Sequence, residues 1–210
     1  MGDCCHNKEK DLAKTAKNHR SVLWTVLMIN LVMFFVELTS GWMSHSMALI
    51  GDSLDMLGDA ITYASSIVVI GLGTTEKAQV ARLKATIMLF FGLVISGRCM
   101  YRGLNPVVPE FSMMFSMGTL ALMMNLICLF LLTRHRDDDI NMRSVWICSR
   151  NDIIANCSVL AAAGVVFYTS SPYPDLVVGV GLAVLFTKSA LNIFKEATAS
   201  TAISRVKTSA

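Results

Sequence analysis

Residues Ser46–Ala60, SMALIGDSLDMLGDA, place Asp52, Asp55 and Asp59 inside an apolar run that continues through Ile61–Leu72. Asp55 and Asp59 are four apart, so on a helix both carboxylates project from one face. A charged side chain at the centre of a membrane helix costs about 2.5–3.5 kcal/mol on insertion scales. Three in one span are hard to explain by packing. They need a partner, and a cation is the obvious one.

The rest of the chain agrees with a membrane setting. It is 54% hydrophobic and 16% charged, with a mean hydropathy of +0.56. That balance argues for an integral membrane protein whose main partner is the lipid bilayer. No basic, aromatic-interleaved patch points to nucleic acid. The first twenty residues are polar and the first apolar run is long enough to span, so no cleavable signal peptide is expected. The six cysteines, at 4, 5, 99, 128, 148 and 157, do not form a secreted framework. Four lie in apolar segments, where they read as small buried hydrophobes.

Six apolar spans follow the leader, at 21–42, 47–72, 84–102, 111–133, 144–169 and 175–194, each about long enough to cross the hydrocarbon core. Gly, Pro or charge marks every break. The predicted fold is therefore an all-α membrane protein of six transmembrane helices with no soluble C-terminal domain. Residues 1–20 form a cytoplasmic leader, 21–198 the transmembrane domain and 199–210 a short cytoplasmic tail, too short to fold alone. Within the leader, DLAKTAKNHR predicts a short helix on the membrane surface. With both termini inside, fourteen Lys and Arg lie on the cytoplasmic side and only Arg98 and Arg102 on the other. The positive-inside rule therefore places both termini in the cytoplasm.

The fifth span supplies a second constellation. In SVWICSRNDIIANCSVL, Cys148 and Asp152 repeat the four-residue spacing of Asp55 and Asp59. Two helices that each present two ligands on one face can enclose a four-coordinate site. Three carboxylates and a thiolate suit a divalent transition metal with tetrahedral preference. The thiolate disfavours magnesium and calcium, which want oxygen ligands. Zinc, cadmium and cobalt are favoured, with iron and manganese as further candidates. Counted at about 1.5 Å per residue, Asp59 and Asp152 lie at comparable depths. Cys148 comes out one to two turns nearer the cytoplasm. The alternatives are a core thiol for Cys148 and a structural ion pair for the carboxylates. Arg150 projects from the far face of its helix.

Other polar residues carry softer signals. Asp52 reads as an interfacial carboxylate or an exit-path group, and Asn156 flanks the site as an accessory ligand or pathway residue. Asn30 and Glu37 share a face of the first span, and with Asn125 they read as interhelical hydrogen bonds. Asp175 follows Pro174 and reads as the cap of the last helix. Lys188 can snorkel. His135 with Asp137, Asp138 and Asp139 forms an acidic loop, either solvated or cation-gathering. Cys4, Cys5 and His6 form a compact cluster of soft ligands in the leader, either a candidate accessory metal site or incidental thiols at a disordered tip.

The pattern N-x6-E-x3-G-W-x3-S-x-A-L-x2-D-S-x-D-x2-G-D, through Asn30, Glu37, Gly41, Ser46, Asp52 and Asp59, resembles the cation diffusion facilitator family of metal/proton antiporters. So do Asn105-Pro106-Val107, Asn125, Asn141-Met142-Arg143-Ser144 and Tyr173-Pro174-Asp175, in that order along residues 20–198. The resemblance implies a transport site of Asp55, Asp59, Cys148 and Asp152. It also implies six helices, a homodimer, and alternating access driven by inward proton flow. Many members carry His on the second or fifth span, where this chain has Asp55 and Cys148. Many also end in a cytoplasmic metal-binding domain, for which the tail here is too short.

The function expected is proton-coupled efflux of a divalent transition metal across a cell membrane, a bacterial inner membrane. No enzymatic activity and no cofactor are expected: the metal is substrate and protons are countersubstrate. The rivals are a membrane thiol redox protein, weakened by the lack of a C-x-x-C pair, and an organic-cation/proton antiporter.

Overall fold

The computed structural model describes residues 2–69, 74–134 and 140–208; the side chains of 2–19, 66, 68–69, 74–78, 140–145, 147–148, 150–151, 196–197 and 199–208 lie outside the description. Six helices follow in order: α1 Gly2–Met43, α2 Met47–Val69, α3 Thr74–Leu104, α4 Phe111–Thr133, α5 Ile140–Thr169 and α6 Tyr173–Thr208. All six expected spans fall on these helices. The boundary differences are instructive. The leader is not a separate surface helix but continues into the first span as one 42-residue helix. The last helix likewise runs past the expected end of its span. After Gly2, which opens α1, neither stretch contains a Gly or Pro that would stop it. The end of the second expected span, 70–72, and the acidic loop of His135 and Asp137–Asp139 lie outside the described residues.

Among the described residues, five helices contain stretches long and apolar enough to cross a membrane: Arg20–Met43, Gln79–Leu104, Phe111–Thr133, Asp152–Thr169 and Tyr173–Lys195. The sixth, α2, is long enough at 23 residues but carries Asp52, Asp55 and Asp59. Its position explains how it tolerates them. It contacts all five other helices, while α3 packs along α6 and α4 along α5 at the flanks.

The polarity of the bundle is inverted relative to a water-soluble protein. Trp24, Phe35, Phe90, Met100, Phe130 and Val177 project outward. Asn30, Glu37, Asp52, Asn125, Asp152 and Asn156 are buried. Apolar surface outside and polar groups inside are what a lipid solvent selects. Apolar packing locks α2 at several levels. Leu49 and Ala48 meet Met114, Val159 and Ala163. Ile50 and Leu54 meet Met88, Ile95 and Phe186. Tyr63 and Ile67 meet Leu23, Val26 and Leu132.

The start of α2 is pinned by side chains from far along the chain. Ser46 Oγ accepts from Leu49 N at 3.1 Å, an N-cap bond. Asp175 then accepts from Ser46 Oγ at 2.6 Å, Met47 N at 2.7 Å and Ala48 N at 3.0 Å. The expectation that Asp175 caps its own helix is thus corrected. It lies inside the first turn of α6 and satisfies the free N–H groups of α2, where a carboxylate also faces the positive end of the helix dipole. Two glycines permit the close approach. A Cβ on Gly179 would lie 2.6 Å from the Met47 backbone, and one on Gly41 would lie 2.9 Å from Ile50 N. The turn between α1 and α2 takes a left-handed residue, His45 at φ 61°, with Ser46 N donating to Gly41 O across it.

Asp175→Ala should therefore destabilise the bundle by about 2–4 kcal/mol, since it strands three donors at once. The readout is the thermal unfolding midpoint in detergent. Gly179→Ala should also lower it, by about 1–3 kcal/mol through overpacking against Met47. An unchanged midpoint in both would show that this end of α2 is not the anchor.

Candidate functional site

The side chains of α2 and α5 meet in the middle of the bundle. Asp55 and Asp59 from α2 and Asp152 from α5 line one cavity of about 410 Å³. Gly51, Gly58 and Thr62 of α2, Ala155 of α5, Lys84 and Met88 of α3, and Leu182, Leu185, Phe186, Ser189 and Ile193 of α6 complete its walls. Gly58 has a specific reason to be small, because a Cβ there would lie 2.9 Å from the Phe186 ring.

The carboxyl of Asp152 comes within hydrogen-bonding reach of both Asp55 and Asp59. These are contacts between acceptors, and Asp152 Oδ2 has no donor among the described residues. Asp59 and Asp152 are buried, at 8% and 6% exposure, while Asp55 is half-buried. Buried carboxylates so close together require protons or a cation to coexist. Among the described residues, no three His, Cys, Asp or Glu side chains close on one metal-sized point. The three acids face a shared space rather than a finished coordination shell.

Of the four ligands read from the sequence, the structure brings three together. Cys148 lies on α5, one turn before Asp152 toward the end of the bundle that carries the termini, but its side chain is outside the description, as is that of Arg150. Cys4, Cys5 and His6 fall on the first turns of α1, with side chains likewise outside it. Asp52 and Asn156 do not line the cavity; they lie one turn from Asp55 and Asp152, next in the chain to Gly51 and Ala155 of its wall. Asn156 Nδ2 donates to Asp52 Oδ1 at 3.3 Å and to the Asp152 carbonyl at 2.9 Å. Asp52 is fully buried, so it is not the interfacial carboxylate that its place near a span end suggests. The reason is that α2 lies inside the bundle, not at its edge. Asn30 behaves as expected, with Nδ2 bonding Val26 O at 2.9 Å and reaching Cys128 Sγ at 3.7 Å.

Two residues at the site went unnoticed in the sequence. Tyr63 is fully buried and donates its hydroxyl to Asp59 Oδ2 at 2.6 Å. Its place four residues after Asp59 carries the same one-face signal that linked Asp55 with Asp59. Lys84, read only as part of the cytoplasmic charge, lines the cavity and donates to Thr62 Oγ1 at 2.7 Å. Its ammonium acts electrostatically on Asp59. The cysteines divide. Cys99 and Cys128 are buried as expected, while Cys157 faces outward from α5, and all three are free thiols.

Residues 23–200 match the model of the cation efflux transmembrane domain. The chain belongs to the cation efflux family. That is a family of transporters rather than enzymes. The chain is 26% identical to the metal cation efflux system protein CzcD of Cupriavidus metallidurans, over 85% of this chain and 62% of that protein. The same figures hold for the cation efflux system protein CzcD of an Alcaligenes species. A cadmium, cobalt and zinc/H(+)-K(+) antiporter of Bacillus subtilis is 20% identical, over 81% of this chain and 61% of the other. The chain thus spans about 62% of the length of the relatives it matches.

The position of Lys84 makes a prediction about cation affinity. A fixed ammonium beside the carboxylates opposes an incoming cation. Lys84→Gln should tighten cadmium binding about tenfold at low ionic strength, read by calorimetric titration in detergent. Equal affinity in the two proteins would show that the ammonium does not act on the cavity.

Proposed function

We propose that this protein exports a divalent transition metal, with zinc, cadmium and cobalt favoured, from the cytoplasm in exchange for protons. The observation that carries the reading is the convergence of Asp55, Asp59 and Asp152 on one cavity inside a bundle with an apolar exterior. Cys148, one turn along α5, supplies the fourth and soft ligand, which with three carboxylates suits those metals. The printed names of the relatives, metal cation efflux and cadmium–cobalt–zinc antiport, support the same cargo.

Metal binds deprotonated ligands, so cargo and protons compete for the same carboxylates and thiol. Metal enters from the end of the bundle that carries the termini, where Lys84, Ser189 and Ile193 line the cavity. The positive-inside distribution assigns that end to the cytoplasm. The opposite end of α2 is held shut by the Asp175 cap and the Gly179 contact, so outward opening has to loosen them. Protons arriving from outside release the metal. The neutralised carboxyls then return through the low-dielectric interior at small cost. The chain works as a homodimer in a bacterial inner membrane.

Neither rival gains support from a specific contact. The cavity wall holds a single aromatic ring, Phe186, among the described residues, a poor cage for an organic cation. The cysteines at 99, 128 and 157 lie on three different helices as free thiols.

In liposomes with purified protein, zinc, cadmium and cobalt should each drive counterflow of protons, read with an internal pH dye. Asp59→Ala should abolish it. Cys148→Ser should reduce cadmium flux at least severalfold more than cobalt flux, because cadmium is the softer ion. Wild-type protein that moves no protons with any metal, and matches Asp59→Ala, would overturn the reading.

A further inference from the structure

One turn beyond Asp55 and Asp152, away from the termini, the same two helices present a second set of polar groups, and α1 adds a third. On α2, Asp52 lies three residues before Asp55, on the same face. On α5, Asn156 lies four residues after Asp152, again on the same face. From α1, the carboxyl of Glu37 comes within hydrogen-bonding reach of Asp52. All three side chains are at 0% exposure.

Their hydrogen bonding is incomplete in a consistent way. Asn156 Nδ2 ties the amide to Asp52 Oδ1, yet Asn156 Oδ1 has no partner among the described residues. Asp52 Oδ2 and both carboxyl oxygens of Glu37 also have none among them. Buried polar atoms are ordinarily satisfied, and two facing carboxyls with an idle amide oxygen form a concentration of acceptors served by one amide donor, Asn156 Nδ2. Among the described residues, what this set lacks is positive charge. Each unpartnered atom is oxygen, and no thiol or imidazole of the described residues joins the cluster.

We propose that Glu37, Asp52 and Asn156 form a second cation station, an oxygen-only site that receives the divalent cargo from the Asp55–Asp59–Asp152 cavity on its way out. This rests on the transport reading above. The spacing makes the transfer a single step. Asp52 neighbours Asp55 and Asn156 neighbours Asp152, so a cation leaving Asp55 and Asp152 meets the next oxygens one helical turn, about 5.4 Å, farther on. The donor chemistry also sets a direction. A thiolate-bearing inner site holds soft metals tightly, whereas carboxylate and amide oxygens favour harder ions and hold soft ones less strongly. Cargo is thereby handed to a weaker site before release.

The test separates the two sites by probe ion. Full-length protein in detergent is loaded with one equivalent of cadmium and then titrated with manganese(II). Free manganese is read by electron paramagnetic resonance, and retained cadmium by mass spectrometry. Wild type should bind one manganese per chain beyond the cadmium. Glu37→Gln and Asp52→Asn should weaken manganese binding at least tenfold and keep the cadmium. Asn156→Asp, which adds a third carboxylate, should tighten manganese binding severalfold, a gain that a purely structural role would not produce. Unchanged manganese binding in Glu37→Gln and Asp52→Asn overturns the proposal. Should those variants lose cadmium and fail to fold, Asn156→Asp decides, and binding no tighter than wild type overturns it. Asp59→Asn should lose the cadmium and keep the manganese. Retention of cadmium there counts against the inner site alone, so the failure of either site is distinguishable.

Discussion

Asp52, Asp55 and Asp59 occupy the one helix that touches all the others, and the cost of burying their carboxylates governs the surrounding architecture. In lipid, a carboxyl that cannot reach water must find a proton, a donor or a cation. The bundle supplies donors sparingly. Tyr63 serves Asp59, Asn156 serves Asp52, and Lys84 lends charge at the cavity wall. Among the described residues, Glu37 and Asp152 retain acceptor atoms with no partner. Lys84 is the one cation on the described cavity wall, and three carboxyls line that wall with it.

Placing α2 at the centre follows from the same constraint. A helix with three acids cannot face lipid, so five more apolar helices surround it. The contact that holds it there is itself polar. Asp175 on α6 fills the donor positions of the first turn of α2, and Gly179, four residues on, lets the two backbones meet. One end of α2 is therefore tightly anchored and the region beyond Asp55 opens onto a cavity. That asymmetry gives an alternating-access cycle a fixed point and a moving part.

Much of this was legible in the sequence, for identifiable reasons. Apolar length located all six helices, and the four-residue spacing of Asp55 and Asp59 placed both on one wall of the cavity. Depth counting put Asp59 and Asp152 at comparable but not identical levels, and both line one cavity. What the sequence hid was pairing across long separations. Asp175 sits just after a proline at a helix start, so local rules assign it to α6, while its partners lie 127–129 residues earlier. Glu37 looked like an interhelical hydrogen bond and Asn156 like an accessory or pathway residue, and nothing local says that α1 and α5 each send a side chain to Asp52. Tyr63 was within reach of the spacing argument but was masked by its aromatic character in an apolar run. The uninterrupted α1 follows from the absence of any breaker before the first span, a signal outweighed by the polarity of the leader.

The central claim is that a soft divalent cation sits between α2 and α5. A cadmium-soaked crystal of the full chain, measured for anomalous scattering, tests it most directly. The account predicts a strong anomalous peak bounded by Asp55, Asp59, Asp152 and Cys148. Cadmium found only at surface cysteines or the leader, with no peak in that cavity, would contradict it.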